Sequence, residues 1–197
     1  MFHGWDNYYL MIGSAAGALI GLLFVVVTLT AGRDRQAALR GVSLYMTPTV
    51  LHFVTVLCAS AVVTAPGLPL WLLVALIALA VAVGFGNCVW AALGIRGLRQ
   101  ASEPIHWTDF WMYGATPAAA YLTLGLADAF LLTRSEWAPR LLAGVLMGLL
   151  LCGIRNAWDL VTWIAPGRPD PNAQTVVIPP PEAAPAPKPK PRRKAAS

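Results

Sequence analysis

The chain has few charged residues: Asp, Glu, Lys and Arg make up only 12% of its 197 residues, whereas 57% are hydrophobic. An average soluble domain has about 25% charged residues. The mean hydropathy is also high, at +0.62. This composition excludes an ordinary soluble domain and indicates residence in a lipid bilayer.

Sequence motifs of catalysis and metal binding are also missing. There is no GxSxG, HExxH, Walker or Rossmann-type GxGxxG motif, and the three histidines lie on different segments. The three cysteines, Cys58, Cys88 and Cys152, have neither CxxC nor any other metal-binding spacing. We therefore expect small packing cysteines, no cofactor, no metal and no enzymatic activity.

The hydrophobic residues form five runs, each long enough for a membrane span of about 20 residues. The sequence therefore predicts an all-α, polytopic transmembrane helical bundle over residues 1–164. Pro48 and His52 interrupt the second run, and a re-entrant segment there would leave four spans. The runs are Tyr9–Leu29, Leu44–Val63, Leu70–Leu93, Phe110–Leu132 and Leu141–Ile164.

Basic residues in the loops and tail predict the orientation of the chain. Five spans put eleven of these Lys and Arg residues on one side and two, Arg134 and Arg140, on the other. Cytoplasmic loops carry the excess of positive charge. We therefore expect the N-terminus outside and the C-terminus in the cytoplasm.

Residues 165–197 form a separate region with a different composition. Ten prolines lie between Pro166 and Pro191, and the region contains the basic run PKPKPRRK. Such a segment is typical of a disordered or polyproline II tail. Next to a bilayer we expect it to contact anionic lipid, or a cytoplasmic partner, and not nucleic acid. The basic residues concerned are Lys188, Lys190, Arg192, Arg193 and Lys194.

Glycines recur at four-residue spacing in the first and fifth spans, as Gly13, Gly17 and Gly21 and as Gly144 and Gly148. In water, glycine in a helix costs about 1 kcal/mol relative to alanine. In lipid, the same residue lets two helix backbones approach closely. These GxxxG faces predict tight packing, either within the bundle or between copies of the chain.

Polar residues inside spans are candidate functional residues, because they are costly in lipid and usually face a protein interior or a water-filled cavity. Helical spacing puts small or polar residues of four spans on stripes. The stripes are Pro48, His52, Thr55 and Ala59; Gly84, Asn87, Ala91 and Gly94; Gly114, Pro117, Tyr121, Gly125 and Asp128; and Gly148, Cys152, Arg155 and Asp159.

The most polar of these residues lie at depths that allow a common cluster in the cytoplasmic half of the bundle. In one interpretation the cluster lines a vestibule for an ion. In the other, Arg155 and Asp159 neutralise each other and form hydrogen bonds with Asn87 and Asn156. The expected members are Arg155, Asp159, Asn87, Asn156 and His52.

The segment WDNYYLMIGSAAGALIGLLFVVVTL, with RDR soon after it, resembles the first span of a family of small polytopic integral membrane proteins of bacteria. The likeness extends through TPTVLHFVTVL. It implies a location in the bacterial inner membrane, and it carries over no activity and no functional residue.

We therefore expect a non-enzymatic, homo-oligomeric membrane protein that forms a pore or transport-like pathway for a small ion. The alternative is a membrane scaffold or accessory subunit. In that case the polar stripes join the chain's own helices, and the Pro-rich tail recruits a cytoplasmic partner.

Overall fold

The structure, a computed structural model, describes residues 2–30, 47–100 and 110–164. These residues form helices and the turns between them, which confirms the all-α class. The tail, with its predicted lipid or partner contacts, lies outside the described residues. The helices are α1 (Asp6–Thr30), α2 (Thr47–Thr64), α3 (Leu70–Gln100), α4 (Thr116–Leu132) and α5 (Trp137–Ile164), and a π-helical segment (Phe110–Ala115) precedes α4.

Four of these helices, α1, α2, α3 and α5, are long and apolar enough to cross a membrane. α2 is continuous over 18 residues, so the described chain has no re-entrant break at Pro48 or His52. Pro48 lies in the first turn, where its missing N–H removes no hydrogen bond of the helix. The chain is thus a polytopic membrane protein.

The helical stretch of the fourth predicted span changes geometry at Pro117. α4 has 17 residues and carries this proline at its start. Proline cannot donate to the carbonyl four residues earlier, and its ring clashes with that carbonyl. The wider π-helical turn before α4 accommodates this defect. Together the two segments occupy the predicted bounds, Phe110–Leu132.

The first two helices are antiparallel. A Cβ built on Gly13 would lie 2.8 Å from Cβ of Ser60, and one on Gly17 would lie 3.8 Å from Cδ1 of Leu57. Later residues of α1 therefore contact earlier residues of α2. Contact at Gly13 is close enough that any larger residue would push the two helices apart.

α3 and α4 are antiparallel in the same way. A Cβ on Gly114 would lie 3.1 Å from Cβ of Ala92, and one on Gly125 would lie 3.5 Å from Cγ1 of Val81. The end of α4 therefore lies near the beginning of α3.

The first residues of α1 are tied to the first turns of α5. The Tyr8 hydroxyl donates to the carbonyl of Ala143 at 3.0 Å, and the Tyr9 hydroxyl donates to the carbonyl of Pro139 at 2.8 Å. Tyr9 is completely buried, so it packs in the interface between the two helices. α1 and α5 consequently begin at the same end of the bundle.

The bundle has two central helices, α2 and α5. Half of the residues in their candidate spans are buried, compared with 22% in α1 and α3. α2 packs on α1, α3 and α5, while α5 packs on α1, α2 and α4. The main polar features of the described chain lie on these two helices.

Candidate functional site

A hydrogen-bonded cluster of His52, Thr55 and Tyr121 lies inside the bundle. The Tyr121 hydroxyl is 3.1 Å from Nδ1 of His52 and 3.1 Å from Oγ1 of Thr55. His52 and Tyr121 are fully buried and Thr55 is 3% exposed. Because one hydroxyl joins two side chains of α2, the cluster fixes the distance between α2 and α4.

Space for the Tyr121 ring is provided by Gly84 of α3. A Cβ built on Gly84 would overlap the ring carbons Cε1 and Cζ of Tyr121. The tyrosine thus reaches across α3 to α2 because α3 has no side chain at this point. Three helices meet in this contact.

One nitrogen of the cluster remains without a hydrogen bond. Nε2 of His52 is buried and finds no partner among the described residues. If the Tyr121 hydroxyl donates to Nδ1 of the neutral imidazole, Nε2 carries the proton. If Nδ1 donates to the hydroxyl instead, Nε2 presents a lone pair. The cluster can therefore hold a proton in either of two places, but the described chain offers no second group to receive it.

The five residues expected to form a common polar cluster occupy different environments. His52 bonds to Tyr121 and to none of the other expected members. Asn156 is buried and donates to Sγ of Cys152 at 4.0 Å, and Oδ1 of Asn87 is buried without a partner among the described residues. The hydrogen bonds of the described residues therefore do not join these five side chains into one cluster, and a shared vestibule stays a prediction.

Arg155 and Asp159 lie on the outside of the bundle. They form an ion pair at 3.2 Å, from Nη1 to Oδ2, and their side chains are 47% and 43% exposed. The two residues do neutralise each other, as one alternative predicted, but within the described ranges Oδ1 of neither asparagine accepts a hydrogen bond from Arg155. Gly148, Arg155 and Asp159 of the small and polar stripe of the fifth span thus face outward. Cys152 of the same stripe is half-buried and donates to the carbonyl of Met112 at 3.8 Å.

The opposite face of α5 forms the contact with the bundle. A leucine-rich stripe is buried there, and it includes Gly153, where a Cβ would lie 2.5 Å from Cε1 of Phe53. Hydropathy could not identify this face, because in lipid a leucine is equally stable inside and outside the bundle. The buried residues are Leu142, Leu146, Leu149, Gly153, Asn156 and Leu160.

Five glycines were expected to pack helices, and the structure places them differently. Gly13 lies tightly against α2, and Gly17 makes an ordinary contact with it. Gly21, Gly144 and Gly148 are exposed, and a Cβ on any of them would meet nothing within 4 Å. Only the first of the two GxxxG faces therefore contributes to packing within the described chain.

Tyr121, Thr55 and Gly84 are the site residues that the sequence interpretation did not select. All three belong to the expected polar and small-residue stripes, which in α2, α3 and α4 are largely buried. The feature that could have identified them is a tyrosine, Tyr121, in a stripe of small residues, together with a glycine, Gly84, in the stripe of another span. The spacing of residues along each helix does not show which residues of two different helices contact each other.

No metal centre is found in the described ranges, where no group of three or more His, Cys, Asp or Glu side chains could hold an ion. No known protein family, curated protein or solved structure matches the chain. Any assignment of function therefore depends on the contacts and surfaces described above.

Proposed function

We propose that this chain is a non-enzymatic protein of the bacterial inner membrane whose copies assemble through α5 and form a pathway for a small ion. The N-terminus lies outside and the tail lies in the cytoplasm, where its basic residues contact anionic lipid. Arg155 and Asp159 of each copy line the pathway.

The observation that carries this proposal is the composition of the outer face of α5, which includes Gly144, Gly148, Leu151, Ile154, Arg155, Trp158, Asp159 and Thr162. Exposed positions on the other helices include many large apolar residues suited to lipid, among them Leu10, Phe24, Leu79 and Leu122. The outer face of α5 also exposes large apolar residues, Leu151, Ile154 and Trp158, but it combines them with two glycines and an ion pair.

The position of this ion pair along α5 favours a protein partner over lipid. Arg155 lies about 21 Å along the helix from Leu141, within a hydrocarbon core about 30 Å thick. Charged side chains at such depth face protein or water. Because the two charges lie one turn apart, Arg155 of one copy can pair with Asp159 of the next, as repeated interfaces between identical subunits allow.

The interior of a single chain does not favour conduction. Large apolar side chains fill the space between the central helices, including Phe53, Leu146 and Leu149, all fully buried. The pathway that we propose therefore lies between copies. Gly144 and Gly148 permit close approach of neighbouring α5 helices, and the charges lie deeper along the same face.

Assembly is tested with Gly148→Leu and a matched control, Gly86→Leu. Both glycines are exposed, and a Cβ added to either would meet nothing within 4 Å, but Gly86 lies on α3. Native mass spectrometry of purified protein in detergent should show several copies for the wild type and for Gly86→Leu. Gly148→Leu should shift the distribution to the monomer. A monomeric wild type would contradict the proposal.

Conduction is tested with two opposite substitutions, Arg155→Gln and Asp159→Asn. Removing the arginine leaves a negative side chain in the pathway, and removing the aspartate leaves a positive one. Reversal potentials in vesicles with a salt gradient should therefore shift toward cation selectivity in Arg155→Gln and toward anion selectivity in Asp159→Asn. Equal effects of both substitutions would contradict a lining role.

A scaffold or accessory subunit is the second candidate, and the ion pair itself favours it. Because Arg155 and Asp159 already neutralise each other at 3.2 Å, they can serve assembly without conduction. Oligomers without ion flux would support this function. The scaffold also requires the tail, so deleting residues 165–197 should release a co-purifying cytoplasmic partner, whereas a pore tolerates the deletion.

A further inference from the structure

A polar cavity lies where the N-terminal region meets the turn between α4 and α5. Its volume is about 520 Å³, and it is lined by Trp5, Arg134, Glu136, Pro139 and Arg140. We call it the arginine cavity. It contains neither Arg155 nor Asp159, which line the proposed pathway.

Arg134 has a backbone conformation that is unusual for its residue type. Its φ is 54°, the only positive φ of a non-glycine residue in the part of the chain that the structure describes. Its N–H bonds to the carbonyl of Leu131 at 3.0 Å, and that of Ser135 bonds to the carbonyl of Phe130 at 3.1 Å. This is the Schellman ending of a helix, in which the left-handed position is usually glycine.

An arginine at this position is sterically disfavoured by its Cβ, whereas glycine would adopt the same backbone freely. A residue held in such a conformation points to a role for its side chain. The side chain of Arg134 lines the arginine cavity together with Trp5 of the N-terminal region.

Arg140 is held in place by two contacts. Its Nη1 donates to the carbonyl of Glu136 at 2.9 Å, and its guanidinium carbon lies 5.6 Å from the centroid of the Trp137 ring. In the described ranges, neither arginine forms an ion pair with Glu136 or with another residue. The remaining N–H groups are therefore available to a ligand.

The charge of the arginine cavity favours an anion. Two guanidinium groups and one carboxylate give a net positive charge, and the positive end of the α5 dipole lies at the same place. In the predicted topology, Arg134 and Arg140 are also the only Lys or Arg residues on the outer side of the membrane. Because Lys and Arg are usually rare on the outer side, two arginines in one cavity there indicate a role for their charges.

We infer that the arginine cavity binds a phosphate group. Guanidinium groups match phosphate oxygens with paired, charge-assisted hydrogen bonds, and the volume is within the range of small-molecule sites. The source is either the headgroup of an anionic phospholipid or a free phosphate compound. Trp5 and Trp137 lie at the same end of the bundle, where interfacial tryptophans place a headgroup.

The test uses full-length protein in nanodiscs, with Arg134→Gly and Arg140→Gln as variants and Arg99→Gln, at a residue outside both the arginine cavity and the proposed pathway, as the control. Arg134→Gly removes the guanidinium and also relieves the backbone, so thermal unfolding should show a fold at least as stable as the wild type. Binding is measured as retention of phosphatidylglycerol over phosphatidylcholine in native mass spectra. Titration with inorganic phosphate in phosphatidylcholine nanodiscs, followed by ³¹P NMR, measures the free anion.

Each cavity variant should weaken binding by roughly tenfold or more, as the loss of a charge-assisted hydrogen bond predicts, while the control binds like the wild type. Selective retention of phosphatidylglycerol alone identifies the lipid headgroup, and binding of inorganic phosphate identifies a free ligand. Absence of both, or equal binding by the wild type and Arg134→Gly, would overturn the inference. These outcomes do not depend on assembly or ion flux.

Discussion

At the scale of single residues, glycines determine where the helices of this bundle meet. Gly84 makes room for the Tyr121 ring, Gly153 for Phe53, and Gly13 for Ser60. Each of these contacts joins two different helices. Lipid offers no hydrophobic driving force between helices, so such close contacts supply much of the stability of the bundle.

The contact at Gly84 gives a prediction with a control two residues away. Gly84→Ala should destabilise the protein by about 1–3 kcal/mol, because the added methyl overlaps a ring that is held by two hydrogen bonds. Gly86→Ala should cause no loss, since a Cβ at Gly86 meets nothing within 4 Å. Thermal unfolding in detergent measures both. A Gly84→Ala protein as stable as Gly86→Ala would show that Tyr121 is not confined there.

At the scale of helices, the sequence predicts the existence of spans better than it predicts their inward faces. Span lengths follow from the cost of exposing polar backbone to lipid, which every span shares. Inward faces depend on which helix lies opposite. The stripe of α2 containing His52 and Thr55 is buried, whereas that of α5 containing Arg155 and Asp159 faces outward.

This difference has a physical reason. A polar or small stripe leaves lipid either by turning into its own bundle or by turning toward another molecule, and spacing along one helix is the same in both cases. The partners of the polar side chains distinguish these two cases. His52 has a tyrosine partner on another helix, whereas the ion pair of Arg155 is with Asp159 on its own helix.

The docking of α1 on α2 gives a second prediction. Gly13→Leu should destabilise the bundle by about 2 kcal/mol or more, because a side chain at this point would force α1 away from Ser60. Gly21→Leu, in the same helix, should leave thermal stability unchanged, since Gly21 faces open space. Equal losses in the two variants would mean that helix propensity, and not the α1–α2 contact, explains the effect.

At the scale of the whole molecule, the helix contacts bear on the number of membrane crossings. The hydroxyls of Tyr8 and Tyr9 bind carbonyls in the first turns of α5, so the beginnings of α1 and α5 lie at one end of the bundle. The chain returns to its starting end only after an even number of crossings. α4 must therefore cross, although its 17 residues alone make a short span. With the π-helical segment the stretch reaches Leu132 from Phe110, about the length that a bilayer needs.

Cysteine labelling tests this topology in a variant whose native cysteines are replaced by alanine. Five crossings put the α2–α3 turn and the α4–α5 turn outside and the C-terminal residue inside. A membrane-impermeant maleimide added to intact cells should therefore label Pro66→Cys and Ser135→Cys, and it should label Ser197→Cys only after lysis. If α4 did not cross, Pro66→Cys would still be labelled, but Ser135→Cys would be protected and Ser197→Cys would react. That pattern would separate the α1 and α5 beginnings across the membrane, which their hydrogen bonds do not allow.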